Sequence, residues 1–534
     1  MNTKFKTGYL PALLGIFIGV LLSMIVFRVV IRYGKVRAGA ENWRKLTLIL
    51  HEVQKNYVDS VDVSKVTDAA VEGALAALDP HSIYMPPAEL KKTQTELEGN
   101  FDGIGIQFNV PNDTAVIMDV IPGGPSEKAG LQQGDRIIKV GTKDIAGVKF
   151  PQDSIVSNIK GPAGTKVKII VDRDGILIPF NITRGKIPLH SIDAAFMINK
   201  TTGYIRLNKF SKTTSDEFDE ASGKLLAKGM QRMILDLRDN PGGYFEQALL
   251  LCNEFLDKGN NIVYIKGLHR KKESYEADGK GKLKDVRLTV LINENSASSS
   301  EIVAGAMQDN DRGVLVGRRS FGKGLVQEPI FFTDGSGVRI TVARYYTPSG
   351  RCIQKPYDNM EDYQYDIYKR YTDGEMLTRD SIKVDKKEAY TTTGGRTVYG
   401  GGGIIPDIFV PLDTTKATSF FIKCNKKATQ MRFASAIFDE YKDNISNISD
   451  YNTLNKFLDN LDIASKFKAY AAKTDGIRPV PGEWEKTQEY LIPQLKALIG
   501  RYSKLGDNAF YKLYMGVDVT LMKAVNSPST LKQQ

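Results

Sequence analysis

Ser298 and, 25 residues on, Lys323 have the types and setting for nucleophilic peptide hydrolysis in this 534-residue chain. A serine hydroxyl is a weak nucleophile until a base takes its proton. A lysine is such a base only when neutral, and burial in an apolar pocket can lower its pKa enough. Lys323 stands in SFGKGLVQ with Phe321 and Leu325 beside it, which predicts a partly buried amine. Gln327 offers an uncharged amide that can orient the amine without holding it protonated, as a carboxylate would. Four residues is an even step on a strand and one turn of a helix, so Lys323 and Gln327 are expected on one face either way.

The elements that must position the serine are legible around it. LTVLIN (288–293) is apolar and β-branched, and SSEIVAGAMQ (299–308) has helical periodicity. Ser298 therefore sits at a strand-to-helix turn, where Ser298-x-x-Glu301 is also an ordinary capping box. The two readings are compatible. An exposed serine at such a turn has the backbone N–H of Ser299 beside it, aimed where an oxyanion would form.

Seven stretches extend the pattern: LDPHSIYM (78–85), FDGIGIQF (101–108), LDLRDNPGG (235–243), NENSASSSEI (293–302), SFGKGLVQ (320–327), YYTPSGRCIQ (345–354) and GGGIIPD (401–407). In this order they resemble the C-terminal processing (tail-specific) peptidases, PDZ-containing serine proteases with a Ser/Lys dyad. The resemblance runs from about residue 40 to 410. It implies Ser298 as nucleophile, Lys323 as general base and Gln327 as the residue that orients it. It also implies that the Gly242-Gly243 loop supplies a second oxyanion N–H beside Ser299, with Gly243 preferred to Gly242. One departure is visible. The family's nucleophile motif commonly reads SASASE, and Ser299 stands here in place of its second alanine; only the N–H of that position is needed.

Residues 99–185 look like a PDZ domain, with alternating strands, Gly/Pro turns and one short helix at 125–129. GIGI matches that fold's carboxylate-binding loop. Gly103 and Gly105 let the backbone of Gly103, Ile104, Gly105 and Ile106 converge on a peptide's terminal carboxylate while the peptide adds as a strand. From residue 186, strands alternating with helices imply an α/β core with crossover connections. Asp236 and Asp239 read as turn and packing residues, and His81, beside Ser82, as structural.

The expected architecture is a multidomain α/β protein. It comprises a short tail (1–8), a transmembrane anchor (9–31), a helical region (38–98), the PDZ domain (99–185), the protease core (186–410) and a helical C-terminal region (411–534). YLPALLGIFIGVLLSMIVF is uncharged and long enough to span a bilayer, although AGA at 38–40 leaves a cleaved signal open. Charges flanking the span favour the opposite orientation, but the resemblance implies a body outside the cytoplasm, on the periplasmic side of a bacterial inner membrane. Residues 356–397 read as an insertion. The C-terminal helices could cover the core or mediate homo-oligomer or adaptor contacts.

Composition bounds the rest. With 42% hydrophobic and 25% charged residues the chain is globular. The net charge of +11 comes without a basic stripe interleaved with aromatics, so nucleic acid is not an expected partner. Three scattered cysteines and four histidines suggest neither a disulfide framework nor a metal site. No metal or cofactor is expected. The expected partners are peptides or proteins with free C-terminal tails, and the membrane through the anchor. Two rivals stand: a non-catalytic PDZ scaffold or adaptor on a protease-like core, and a Ser/His/Asp hydrolase using His190 or His269, for which GxSxG is absent around Ser298.

Overall fold

A computed structural model describes residues 43–110, 113–415 and 417–528, and the chain divides into two units, Met1–Tyr84 and Met85–Gln534. The tail and anchor expected at 1–31 lie outside the described residues. Among the described residues no helix is long and apolar enough to cross a membrane.

The first unit carries helices over 43–56 and Val63–Ala76. The Asp79 carboxylate closes the turn that follows. It accepts from the N–H groups of His81 and Ser82 at 2.8 and 2.9 Å, and from the Ser82 hydroxyl at 2.6 Å. His81-Ser82 is thus part of a turn.

In the second unit a two-stranded ribbon, Asn100–Gly103 paired with Gly185–Pro188, leads into and out of a β-rich fold. Its sheet runs Ile106–Asn109, Ala115–Val120, Arg136–Val140, Lys166–Arg173, Ile176–Thr183. Ile106–Asn109 is therefore an edge strand. The helix Pro125–Ala129 is joined by a second, Gln152–Ile159, which the sequence reading did not expect. It is only eight residues long, and its apolar face, Ile155 and Ile159 one turn apart, is buried in the same core as Ile117, Ile137 and Ile169.

The α/β core is a sheet whose spatial order follows the chain: Ile192–Met197, Thr202–Leu207, Arg232–Asp236, Arg287–Ile292, Gly313–Gly317, Ile408–Phe409. The first pair is antiparallel and the rest are parallel. Alternation along each strand divides the side chains between two faces. Ile205, Met233, Leu235, Val290 and Leu315 pack with the helices Thr214–Ala227, Phe245–Asn253 and Ser299–Asp309. Tyr204, Ile234, Leu291, Val314 and Val316 point the other way, onto Leu521 and Ala524 of the last helix, Val519–Asn526. The C-terminal helices thus cover a face that the crossover helices leave apolar.

The two strands that follow Gly313–Gly317 in the chain do not extend this sheet. Leu325–Phe331 and Gly337–Tyr346 form a hairpin in a second, antiparallel layer with Asn261–Lys266 and Glu273–Glu276. The insertion folds as helices Met360–Gln364 and Asp366–Thr372 and a hairpin of Ala389–Thr391 with Thr397–Tyr399.

Candidate active site

Ser298 ends the loop after strand Arg287–Ile292 and begins the fully buried helix Ser299–Asp309, with φ 55° and ψ −115°. A non-glycine residue there is strained, and such strain persists only where the surroundings over-determine it. They do. Ala297 N–H and the Ser300 hydroxyl both donate to Asn240 O, at 3.0 and 2.9 Å, and Phe321 N–H donates to Ser296 O at 3.0 Å. Ser298 itself remains partly exposed.

Glu301 does more than cap the helix. Fully buried, it accepts the N–H groups of Ser298 and Lys323 on one oxygen, Oε2, at 2.9 and 2.8 Å. Its Oε1 accepts Gly322 N–H at 2.7 Å and the Ser320 hydroxyl at 2.5 Å. Burial pushes its carboxyl above the usual range, against the pull of these four donors. Tyr345, buried beside it, has its hydroxyl 2.7 Å from Lys323 O and 3.2 Å from Ser298 O. Burial raises the Tyr345 pKa well above its ordinary value, so the phenol keeps the proton it donates. Two buried side chains therefore hold the serine turn and the lysine loop together. The capping-box spacing pointed to Glu301 but not to the second loop it grips, and nothing local marked Tyr345.

Lys323 Nζ donates to Gln327 Oε1 at 3.0 Å. The cause is not the regular period expected from sequence. Lys323 precedes the strand, which starts at Leu325, and the ladder shifts register between Val326 and Gln327. An irregular backbone brings the two together. Phe321 has the Lys355 amine 4.0 Å from its ring centroid. The insertion steadies this loop from outside: Arg370 donates to the carbonyls of Arg319 and Ser320 at 2.6 and 3.0 Å, and shares Glu375 with Arg319.

The two loop glycines differ. Gly242 (φ 96°) lies against the serine, where a Cβ would come within 2.8 Å of Ser298 Cβ and 2.9 Å of Ser299 N. Its N–H donates to Asn240 Oδ1 at 2.9 Å. Gly243 (φ 150°) is pressed on Phe210, where a Cβ would sit 2.0 Å from the carbonyl oxygen. Among the described residues the N–H groups of Gly243 and Ser299 have no acceptor. The Ser299 hydroxyl donates to Gly243 O at 3.0 Å and to Tyr244 O at 3.3 Å. The residue that departs from the common motif thus ties the helix to this loop.

Gly103, Ile104, Gly105 and Ile106 lie apart from this cluster, where the ribbon enters the edge strand. Gly103 needs space, since a Cβ would meet Phe101 Cε2 at 2.7 Å, whereas Gly105 needs its φ of 79°. The carbonyls of Ile104 and Gly105 accept from Ser126 and Ile121 at 2.9 and 3.0 Å. Of the histidines named as rival bases, His190 lies 3.6 Å from Glu217, whose carboxylate raises the imidazole pKa, and His269 is exposed.

A relative settles the family. The chain is 36% identical over 319 residues to the carboxy-terminal processing protease CtpA of Bacillus subtilis, covering 59% of this chain and 68% of that protein. It belongs to the carboxy-terminal processing proteases. The model of peptidase family S41 matches residues 201–363, that of the PDZ domain 103–183, and that of a family of unknown function 425–503. A carboxy-terminal-processing protease of Bartonella bacilliformis is 36% identical over 312 residues, 57% of this chain and 71% of that one. Among solved structures, the photosystem II D1 C-terminal processing protease is 26% identical, covering 68% of this chain and 86% of that chain, with a TM-score of 0.34. As a member of this family the chain is a serine-type C-terminal processing protease with a PDZ domain.

Proposed function

We propose that the protease cleaves exported or membrane proteins near their free C-termini with a Ser298/Lys323 dyad. The observation that carries this reading is the Glu301 oxygen that accepts both Ser298 N–H and Lys323 N–H, beside a strained serine and a lysine oriented by a neutral amide. Ser298 Oγ attacks the scissile carbonyl as Lys323 Nζ takes its proton. The N–H groups of Ser299 and Gly243 hold the oxyanion, a role for which Gly242 N–H is less suited because Asn240 already accepts it. The lysine then passes the proton to the leaving amine, and water hydrolyses the acyl-enzyme with the amine again as base. Nucleophile, base and oxyanion donors are all supplied by the chain, so this route uses no metal. The PDZ loop receives the substrate's terminal carboxylate, with the tail added along the edge strand Ile106–Asn109. The apolar run at 9–31 anchors the chain and places the body outside the cytoplasm.

The test is proteolysis of a protein with a free apolar tail by Ser298→Ala, Lys323→Ala and the double variant. Each single change should lower kcat by about 10³-fold or more, and the double variant should be no worse, because the pair acts as one unit. Substantial cleavage by folded Lys323→Ala removes the dyad; binding without cleavage by the native chain returns the scaffold reading.

A further inference from the structure

We infer that Asp518, at the start of the last helix, is a positioning residue for the oxyanion loop, which makes the C-terminal region a working part of the protease; this rests on the roles proposed for Ser298 and Gly243. Strand Arg232–Asp236 runs directly into that loop, and Arg238 stands between them. Its guanidinium is held by two carboxylates. Nε and Nη2 donate to Asp236 at 2.9 and 2.6 Å, and Nη1 and Nη2 donate to Asp518 at 2.9 and 2.7 Å. Two such forks fix both the plane of the group and its rotation. The Asp518 side chain is 13% exposed and that of Arg238 14%.

The helix Val519–Asn526 is clasped at both ends by this one strand segment. Asp518 caps its start, accepting Leu521 N–H at 2.9 Å. At its end the carbonyls of Ala524 and Val525 accept from Arg232 at 2.6 and 3.1 Å. Between the clasps Leu521 and Ala524 pack on Ile234 and Leu291. The helix is a splint along the strand that carries the loop. Without the Asp518 charge, Arg238 would keep Asp236 as its one carboxylate partner, and Asp236 is shared with Arg206. The backbone at 238 would then be free to shift. Beyond it the loop is held from the serine side through Asn293, Ser299 and Ser300, and on its other side by Asn240 Nδ2 on Leu207 O at 2.9 Å and Phe210 N–H on Gly242 O at 3.0 Å, so its setting depends on where the strand end at 238 delivers it. A small displacement of Gly243 follows, which weakens a contact made in the transition state and leaves substrate binding alone.

The experiment compares the full chain with Asp518→Asn, Asp518→Glu and Ser298→Ala, well below the unfolding midpoint of each, on a tail-bearing protein substrate. Asparagine keeps the helix cap and removes the charge. Its kcat should fall about tenfold with KM unchanged, and glutamate, which restores the charge, should lie between it and the native enzyme. Native kcat in folded Asp518→Asn overturns the inference, as does a loss that glutamate does not relieve. Should Asp518→Asn fail to fold, Asp518→Ser, which also keeps a helix cap and removes the charge, decides: lowered kcat at native KM supports the role, and native kcat overturns it. Cleavage by Ser298→Ala would instead overturn the parent reading, whatever Asp518 does.

Discussion

Free lysine titrates near 10.4, so at neutral pH an ordinary amine is almost wholly protonated and useless as a base. Gln327 answers that need by accepting from Lys323 Nζ without adding negative charge. Replacing it by glutamate keeps the reach but favours the ammonium form. Gln327→Glu should therefore shift the single-turnover pH profile upward by about one unit or more and lose most activity near neutrality; an unchanged profile in the folded variant would show that Gln327 does not act on the base. Glu301 invites a sharper test. All four of its partners are donors, so the –NH₂ of Glu301→Gln must confront an N–H whichever way the amide turns. Each buried donor left without an acceptor costs about 1–3 kcal/mol. The variant should show a lowered thermal midpoint and a kcat reduced by at least about tenfold. Native kcat in this variant would make the clamp dispensable.

Elements position these residues in unequal ways. The serine rides on a strand and a buried helix of one sheet, the lysine on the approach to a hairpin of another, and Glu301 and Tyr345 join the two. The PDZ fold depends on a simpler device. The ribbon delivers Gly103–Ile106 to an edge strand, and among the described residues the N–H groups of Ile104 and Gly105 have no acceptor. Amidating the tail of a substrate peptide removes the charge those groups would receive, so the full chain, inactivated as Ser298→Ala, should bind the amide about tenfold or more weakly than the acid. Equal affinities, read by calorimetry, would mean that the domain recognises internal sequence or acts as a spacer.

At the scale of the molecule, the ion cluster beneath the Gly242-Gly243 loop links strand, loop and C-terminal helix, and it sets an acid limit. Burial alone would raise the Asp236 pKa, but Arg238, Arg206 and the Tyr204 hydroxyl together bring it down to about 2. An unfolded aspartate titrates near 3.9. The folded pKa is the lower one, so this contribution is complete above about pH 4 and is lost as pH falls through about 2; it amounts to about 2–3 kcal/mol. The thermal midpoint should drop steeply between about pH 4 and 2, and Asp236→Asn should flatten that limb while lowering the midpoint at neutral pH. A native acid limb in the variant would assign the loss to other carboxylates. The C-terminal helices reach the PDZ fold as well: Asp439 pairs with Arg136 at 2.6 Å, and Met118 packs into their core.

Side-chain types and local periodicity determined which residues could act. A serine at a strand-to-helix turn, a lysine among glycines with an amide four residues on, and a G-x-G before an edge strand are short-range patterns, legible because each depends on neighbours in the chain. The same holds for the alternation that split Ile234 from Met233 and Leu235, and for the Ser298–Glu301 spacing. The shared grip of Glu301 on two loops, the bulge that turns Gln327 toward Lys323, and Arg370 on the lysine loop were decided by tertiary structure. Tertiary structure also sets the two loop glycines apart: Asn240 engages the Gly242 N–H, while among the described residues that of Gly243 has no acceptor. Arg238 and Asp518 stand 280 positions apart, and no pattern in the chain between them predicts their fork. Two partly buried charges meet there because the last helix covers the apolar face of the sheet.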